Sequence, residues 1–417
     1  MAKSEFNKNV FLLASGTVFA QALPIVISPI LTRIYTPSDF GTLSLFIAIA
    51  SIFASIANGR YELAIMLPKN DENAIKLLLL TLIINLSISM SLMLIIIFFH
   101  DKIIEYLADI NLSNWLYFIP IVVFLQGAFN SFHYFHLRKK RYKSLRNIRI
   151  AKSVSLSTPQ VFLGLLKQGP FGLIIGEIIS SLFSVLYFIK IFFKKTYKKV
   201  SFSLNDFSFL AKKYKKFPKY SMWGILSNVL STQLINILIS SIYGLSFLGF
   251  YSIVQRTLGV PSTLIGDSIG SVFFQSATEE KKSNGNAIKS FNYTSSRLII
   301  IGIMIFVPLH FLIVDMFRLI FGENWTIAGE YAKILLPLFF MRFVAASLSN
   351  INNVFGQQKI AFIWQFMLLI LSITSIIISH IYFQDFKTFL KILSGLVSLH
   401  YFLLFLIVFR VSYNGKL

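Results

Sequence analysis

The chain alternates between apolar stretches of membrane-spanning length and short polar or basic segments. A helix needs about 20 consecutive, mostly apolar residues to cross a bilayer core. The fifth and tenth stretches carry many polar residues, which weakens their hydropathy signal. We predict twelve transmembrane helices, at residues 9–34, 40–67, 75–99, 112–136, 150–167, 171–193, 217–242, 248–274, 291–314, 330–354, 358–381 and 387–410.

The composition supports a protein that lies almost entirely in the membrane. Hydrophobic residues make up 55% of the 417 residues and charged residues only 13%, against about 25% charged in an ordinary soluble domain. This balance excludes a soluble enzyme, because one or two soluble cores cannot bury so much apolar surface. The absence of cysteine excludes thiol catalysis, disulfides and cysteine-based metal sites. We predict an all-α polytopic membrane protein.

The basic residues predict how the chain is oriented. The formal net charge is +22, and most Lys and Arg residues lie between the apolar stretches. The side that carries both termini has 28 basic residues against five on the other side. Because cytoplasmic loops collect Lys and Arg, we predict that both termini are cytoplasmic. We interpret these basic loops as contacts to anionic lipid, and we predict no nucleic-acid partner.

A shift of 208 residues reveals an internal repeat, for which chance agreement between apolar sequences is the alternative. Six predicted spans separate the two copies, so both have the same orientation and the repeat is parallel. We predict an N-terminal six-helix lobe at 1–193, a basic cytoplasmic linker at 194–216 and a C-terminal six-helix lobe at 217–417. The shift superposes Gly16 on Gly224, Ile34-Tyr35 on Ile242-Tyr243, Ser38 on Ser246, Gly41 on Gly249 and Ser44 on Ser252.

Charged side chains within the spans are candidate functional residues, because each costs about 2.5 to 3.5 kcal/mol to insert. An arginine is always charged, and its planar fork matches phosphate or carboxylate oxygens. We predict that Arg60, Arg256 and Arg342 form a cationic, substrate-binding cavity for an anionic passenger. For Arg60, pairing with a carboxylate or snorkelling toward the membrane surface is the alternative. Arg297 lies early in its span, and we assign it to snorkelling.

Three carboxylates in the spans, Glu62, Glu177 and Asp267, are candidates for ion or proton coupling. Pairing with the arginines is an equally good interpretation of them. Arg256 and Asp267 are eleven residues apart, about three helical turns, so they share one face unless Pro261 rotates it.

The seventh span carries a polar stripe of Asn228, Thr232 and Asn236 at i, i+4 and i+8. Such a stripe either packs helices together or lines a cavity. Cofactor and metal chemistry have no support in the sequence. There is no Gly-rich Gly-Lys-Ser/Thr phosphate loop, and the pair His133 and His136 lacks an acidic ligand. We therefore predict no catalytic residues, no cofactor and no metal.

Several motifs resemble one protein family. The early cluster is the more specific, and the motifs of the second half support it. They are Leu13–Thr17, Ser28–Gly41, Gly59–Pro68, Leu248–Ser252, Gly259–Pro261, Ile265–Ile269, Val272–Phe274 and Phe321–Trp325. With these motifs the chain resembles the polysaccharide-transport flippases of bacteria, the O-antigen-unit (Wzx-type) translocases.

The resemblance implies a two-lobed, V-shaped bundle of the multidrug, oligosaccharidyl-lipid and polysaccharide exporter superfamily. It also implies that the protein moves polyprenyl-diphosphate-linked oligosaccharide from the cytoplasmic to the outer leaflet of the bacterial inner membrane by alternating access, for lipopolysaccharide or another surface glycan. A polysaccharide polymerase and chain-length machinery are then possible partners. Only Arg60 sits in a motif of this family, whereas Arg256 and Arg342 are chosen for their depth in the spans.

Two other functions are weighed against this one. A drug or ion antiporter of the same superfamily would use Glu62 or Asp267 for coupling, but three buried arginines disfavour a cationic cargo. A membrane polysaccharide polymerase or ligase usually needs a sizeable external loop. The longest predicted external connections, 100–111 and 315–329, are short.

Overall fold

A computed structural model describes residues 2–107, 113–196 and 203–414. Within these ranges the chain is helical, with turns between the helices and no strand. The helices of eight or more residues are α1 (Ala2–Ile34), α2 (Pro37–Ile56), α3 (Asp71–Leu107), α4 (Ile119–Arg138), α5 (Tyr142–Gly164), α6 (Phe171–Thr196), α7 (Leu204–Lys213), α8 (Met222–Tyr243), α9 (Leu245–Pro261), α10 (Asp267–Asn284), α11 (Ile288–Phe321), α12 (Thr326–Leu348), α13 (Gln358–Tyr382) and α14 (Phe386–Asn414).

Six shorter elements complete the fold, one of which is a 3₁₀ turn at Glu323–Trp325. Single-turn helices occupy Tyr61–Ala64, Ser113–Leu116 and Ile351–Val354. A π-helical turn at Phe217–Ser221 leads into α8, and another at Ser262–Gly266 joins α9 to α10. The second π turn directly follows Pro261, which lacks a backbone donor and therefore interrupts the α-helical ladder.

Ten helical segments of the described chain are long and apolar enough to cross a membrane. The protein is therefore an all-α, multi-pass membrane protein, as the sequence predicts. Two of the twelve predicted spans do not meet these criteria of length and composition. The fifth corresponds to α5, which is rich in polar and basic residues, and the eighth corresponds to the broken helix α9–α10. The polar tenth span does meet them, within Glu323–Val354.

The polar helix α5 is held by hydrogen bonds to its neighbours. Ser153 Oγ donates to the carbonyl of Ala20 on α1 at 3.0 Å, and Gln160 Nε2 donates to the carbonyl of Leu173 on α6 at 3.2 Å. From α6, Ser180 Oγ donates to the carbonyl of Lys152 at 2.7 Å. Small and polar residues of this kind join helices in membrane proteins, which explains how α5 packs without a long apolar stretch.

The predicted second span is wrong at its end, because α2 stops at Ile56 rather than near residue 67. Gly59 and Arg60 both have positive φ angles, 55° and 61°, and a helix cannot continue through two residues in the left-handed region. Arg60 and Glu62 therefore lie in the connection between α2 and α3, beyond the spanning helix.

The corner between α1 and α2 shows how the repeat begins. Thr36 caps α2, since its hydroxyl accepts from the Asp39 N–H and Asp39 accepts from the Thr36 N–H, and Pro37 opens the helix. The shift of 208 residues maps Pro37 onto Leu245, and Leu245 is the first residue of α9. The two copies of the repeat thus start this helix at the same residue.

The chain separates into two compact units, residues 1–245 and 246–417. In unit 1, α5 packs between α1 and α6, α4 contacts α2, α3 and α6, and α8 packs on α2. The last contact groups α8 with unit 1, whereas the sequence assigns the segment 217–242 to the second lobe. The division into two six-helix lobes with a linker at 194–216 remains a prediction, and residues 197–202 of that linker lie outside the described residues.

Unit 1 includes a very close approach of α2 to the backbone of Leu245, the last residue of this unit. A Cβ atom added at Gly41 would lie 2.0 Å from the carbonyl oxygen of Leu245, closer than any two such atoms can come. Glycine is therefore required at position 41, and this requirement accounts for one residue of the motif that ends there.

Unit 2 is organised around α12. This helix packs on α11 and α14, and α13 packs on α14. Leu335, Phe339 and Phe343 of α12 are fully or almost fully buried, while Arg342 between them is only half-buried. Arg342 is thus a charged side chain among fully buried apolar residues of this helix.

Candidate functional site

The connection between α2 and α3 holds an ion pair between Arg60 and Glu62. Arg60 Nη1 lies 3.2 Å from Glu62 Oε1, and the two side chains are 21% and 4% exposed. Two further buried atoms, Arg60 Nε and Glu62 Oε2, have no hydrogen-bond partner among the described residues. The pair thus satisfies part of the hydrogen-bonding capacity of each group and leaves part of it unused.

The backbone around this pair is anchored on both sides. Asn58 Nδ2 donates to the carbonyl of Gly127 on α4 at 2.9 Å, and the Tyr61 hydroxyl donates to the carbonyl of Ala211 on α7 at 3.0 Å. Arg60, between these anchors, adopts a left-handed conformation that is unfavourable for a residue with a Cβ atom. Neighbouring structure therefore determines where the guanidinium points.

Burial and the ion pair act in opposite directions on the pKa of the Glu62 carboxyl group. Burial raises the pKa of Glu62 above its usual range, and the Arg60 guanidinium opposes that shift. A raised pKa in a carboxyl group that lies next to a possible anion-binding residue suits proton coupling.

Other basic residues near this end of unit 1 are already engaged. Arg138 donates to the carbonyls of Ile65, Met66 and Asn70, and Asp71 forms ion pairs with Arg138 and Lys139. These cations hold the α2–α3 connection against the end of α4. The predicted binding role stays with Arg60.

Arg256 and Asp267 lie on two different helices, one before and one after the break between α9 and α10. Arg256 is half-buried on α9, and Asp267 is exposed at the first residue of α10. Five of the residues between them form the π turn Ser262–Gly266, so a count of 100° per residue does not hold across this segment. The prediction that Arg256 and Asp267 share one helix face therefore loses the regular helical geometry on which it was based.

A cavity of about 280 Å³ surrounds Arg342 in unit 2. Its wall comes from α12, the single-turn helix Ile351–Val354, α13 and α14. Arg342 lies within electrostatic range of Asp267, Tyr251 and Tyr401, and its guanidinium is 5.9 Å from the centre of the Phe339 ring. Within the described ranges Arg342 has no carboxylate within 4.0 Å. The polar and aromatic lining residues are Arg342, Ser349, Asn352, Asn353, Trp364, Gln365 and Tyr401.

The remaining sequence candidates occupy separate places in unit 1. Glu177 is half-buried on α6 and has no ion pair with any described residue. Asn228 and Thr232 are exposed and Asn236 is half-buried, so the stripe lies on an open face of α8 rather than in a helix interface. Asn236 Nδ2 donates to Gln233 Oε1 on the same helix at 3.1 Å.

The predicted histidine pair is part of the packing of α4. His133 stacks on Phe129 with ring centres 6.1 Å apart, and His136 packs on Phe188 of α6 at 4.7 Å.

Sequence reasoning missed the aromatic part of the Arg342 cavity. The Trp364 and His400 rings stack with centres 5.2 Å apart and an angle of 10° between their planes, and Tyr401 lies 5.1 Å from Trp364. These residues come from α13 and α14, which are adjacent only in the fold. No periodicity along either helix brings them together.

Comparison with known proteins gives a family and a fold. The model of the polysaccharide biosynthesis protein family matches residues 30–329, well over half of the chain. A search of curated protein sequences gave no significant match.

Three solved structures are similar over nearly the whole chain. Lipid II flippase MurJ, in an inward closed conformation, has a TM-score of 0.76 at 16% identity, over 97% of this chain and 90% of that one. An inward-facing multidrug resistance MATE transporter of the MOP superfamily has a TM-score of 0.68 at 13% identity, over 94% of each chain. A MOP superfamily transporter from Pyrococcus furiosus has a TM-score of 0.60 at 13% identity, over 98% of this chain and 97% of that one.

Structural similarity at such low sequence identity shows a common fold, but it does not show which molecule this protein transports. The fold is one that membrane transporters use, and the family model independently connects the chain to polysaccharide biosynthesis. The chain therefore belongs to the polysaccharide biosynthesis protein family, and it has the helical fold of the MOP-superfamily transporters.

Proposed function

We propose that the protein is a flippase that moves a polyprenyl-diphosphate-linked oligosaccharide, such as an O-antigen repeat unit, from the cytoplasmic to the outer leaflet of the inner membrane. The observation that carries this proposal is the combination of a polysaccharide biosynthesis family with a transporter fold. The similar structure of lipid II flippase MurJ supports it, because the passenger of that flippase is a lipid.

In this proposal Arg60 binds the diphosphate, with Arg256 and Arg342 adding positive charge and Asn228, Thr232 and Asn236 lining the path. Guanidinium groups bind phosphate oxygens through two parallel hydrogen bonds, and the buried Arg60 Nε is still without a partner among the described residues. The polyprenyl chain stays in the lipid while the polar head group crosses by alternating access.

Glu62 is the proposed coupling group for this cycle, ahead of Glu177 and Asp267. It already binds Arg60, so an arriving diphosphate displaces it from the guanidinium. A displaced, buried carboxylate is unstable as an anion and takes up a proton. Release of the passenger reverses both steps, which links substrate movement to proton movement.

The distribution of basic residues supports a bacterial inner-membrane location with both termini in the cytoplasm. A polysaccharide polymerase and chain-length machinery are the proposed partners downstream, because a flipped repeat unit must be joined to others at the outer face.

A drug or ion antiporter is the second candidate, and the similarity to MATE transporters favours it. It would carry a cation, whereas the half-buried arginines favour an anion. A polymerase or ligase has no comparable support, since the three similar structures are transporters.

The proposal is tested in proteoliposomes by the movement of a labelled polyprenyl-diphosphate oligosaccharide. We expect Arg60→Ala to abolish transport and Arg60→Lys to retain part of it, because lysine keeps the charge but not the fork. Arg297→Ala, which changes an exposed arginine of α11, is the matched control and should transport normally.

A double variant separates substrate binding from a merely structural ion pair. If Arg60 only neutralises Glu62, the variant Arg60→Ala/Glu62→Ala should transport as well as Glu62→Ala alone, because no charge is left to neutralise. If Arg60 binds the diphosphate, the double variant should transport less than Glu62→Ala alone. The antiporter would be favoured instead if the protein transported a cationic dye under a pH or a sodium gradient and did not transport the lipid-linked substrate under either gradient.

A further inference from the structure

The Arg342 cavity of unit 2 contains polar groups that lack protein partners. Asn352 is 2% exposed, and its Oδ1 atom has no hydrogen-bond partner among the described residues. The buried Nε1 atom of Trp364, on another helix of the same cavity, also lacks one. A buried polar group without a partner costs about 1–3 kcal/mol, so such groups usually have a bound molecule or water as their partner.

The bound molecule must donate a hydrogen bond to one of these groups and accept one from the other. Asn352 Oδ1 accepts a hydrogen bond, and the indole Nε1–H of Trp364 only donates one. A hydroxyl group donates and accepts, so a polyhydroxylated molecule satisfies both. Asn353 and Gln365 add two more amides to the same wall.

The charge of the cavity points to one negative group. Arg342 is the only cation among the described residues that line it, and no described carboxylate lies within 4.0 Å of its guanidinium. A guanidinium fork matches one carboxylate. A diphosphate carries more negative charge than one arginine neutralises, which favours a carboxylate in this cavity.

The aromatic residues form a preorganised, amphipathic wall. Trp364 stacks on His400, and His400 Nε2 donates to the Trp364 carbonyl at 3.1 Å, which joins α13 to α14. Such a wall gives the apolar C–H face of a pyranose ring a surface to pack on, while its N–H group meets a hydroxyl. The volume of about 280 Å³ lies just below the usual range of ligand pockets, from about 300 Å³, and suits a single sugar ring.

We propose that this cavity binds one acidic monosaccharide, a pyranose bearing a carboxylate, with Arg342 on the carboxylate, Asn352 and Trp364 on hydroxyl groups, and the Trp364 side of the wall against the ring. The proposal rests on the proposed function, since the sugar is part of the carried oligosaccharide. It names the passenger as an oligosaccharide that contains an acidic sugar.

The test measures ligand binding to the full-length protein in detergent, without transport. Tryptophan fluorescence is titrated with glucuronate, glucose and inorganic pyrophosphate. We expect a saturable change with glucuronate and binding at least about tenfold weaker for glucose and pyrophosphate, which corresponds to about 1.4 kcal/mol. Trp364→Phe should remove the signal while the other three tryptophans remain.

Arg342→Gln should abolish the preference for glucuronate over glucose, and Asn352→Ala should weaken the binding of both sugars. The control Arg297→Gln should bind like the wild type. Equilibrium dialysis with labelled glucuronate gives the same comparison without the tryptophan signal, so a poorly folded Trp364→Phe protein does not block the test. Melting temperatures check that the Arg342 and Asn352 variants are folded.

Each outcome decides the proposal. Equal binding of glucose, stronger binding of pyrophosphate, no saturable binding of any probe, or unchanged glucuronate binding in Arg342→Gln would overturn it. A protein that binds glucuronate but moves no lipid-linked oligosaccharide contradicts the flippase and not the cavity. If the protein flips a neutral lipid-linked oligosaccharide and binds no glucuronate, the result contradicts the proposed acidic-sugar site and not the proposed flippase function.

Discussion

Arg60 of unit 1 and Arg342 of unit 2 are both half-buried, yet only Arg60 has a carboxylate at ion-pair distance among the described residues. Glu62 is two residues from Arg60, and the positive φ angle at Arg60 turns the chain so that the two side chains meet. Asp267 lies on a different helix from Arg342 and interacts with it only at longer range. A paired arginine must exchange partners when it binds an anion, whereas an arginine without a pair is ready to bind.

The buried amides of the two regions differ in the same way. Asn58 donates to the backbone of α4 and thereby holds the connection that carries Arg60. Asn352 is equally buried, and its Oδ1 atom, like that of Asn58, has no hydrogen-bond partner within the described ranges. The Asn58 amide donor thus stabilises the fold at the first site, and the Asn352 oxygen at the second site leaves an acceptor for a ligand.

The largest expected effect comes from Glu62→Ala. The substitution leaves the Arg60 charge without its partner, and breaking a buried pair costs about 3–5 kcal/mol when both groups are fully buried. Because Arg60 is 21% exposed, we expect a loss of about 2 kcal/mol in the free energy of unfolding, seen as a lower melting temperature. The double variant with Arg60→Ala should recover part of that loss, and an additive double variant would mean that the pair contributes no coupling energy.

The second prediction compares the two amides. Asn58→Ala should destabilise the protein by about 1.5 kcal/mol, because the buried carbonyl of Gly127 loses its donor. Asn352→Ala should leave the melting temperature unchanged or slightly higher, because it removes a buried group without a partner. Equal losses in the two variants would contradict the contrast between the regions.

The third prediction concerns pH. Burial raises the pKa of Glu62, so its ionised form is less favourable in the folded state than in the unfolded state. Its contribution to stability is therefore fully present below the unfolded pKa of about 4.3 and is lost as pH rises through the raised, folded value. The melting temperature of the wild type should fall relative to that of Glu62→Gln as pH rises through this window. A constant difference would show that Glu62 does not titrate there.

The smallest effect is expected for the exposed Arg297, which provides a baseline for both sites. Its guanidinium lies 4.1 Å from the centre of the Tyr293 ring. An exposed cation–π contact contributes about 0.5 kcal/mol, so Arg297→Ala should hardly change the melting temperature. A loss as large as that of Glu62→Ala would mean that arginines anywhere in this protein are structural.

The sequence predicted most spans because apolar length is a local property. It failed at the end of α2, since hydropathy continues past Ile56 while the positive φ angles at Gly59 and Arg60 end the helix. It also indicated the breaking residue of the eighth span, Pro261, but not the π turn that follows it. Backbone changes of one turn are set by neighbouring contacts that a hydropathy pattern does not contain.

By itself, the sequence determined the membrane class, the helical architecture and the positions of the arginines along the chain, because bilayer insertion depends on consecutive apolar residues and the charges that interrupt them. Only the tertiary structure decided which of those charges are paired. It joined Arg60 to Glu62 through a left-handed turn, and it brought Trp364 and Tyr401 from two helices to the Arg342 cavity. Pairing and cavity formation depend on distances between side chains on different elements, and packing alone sets those distances.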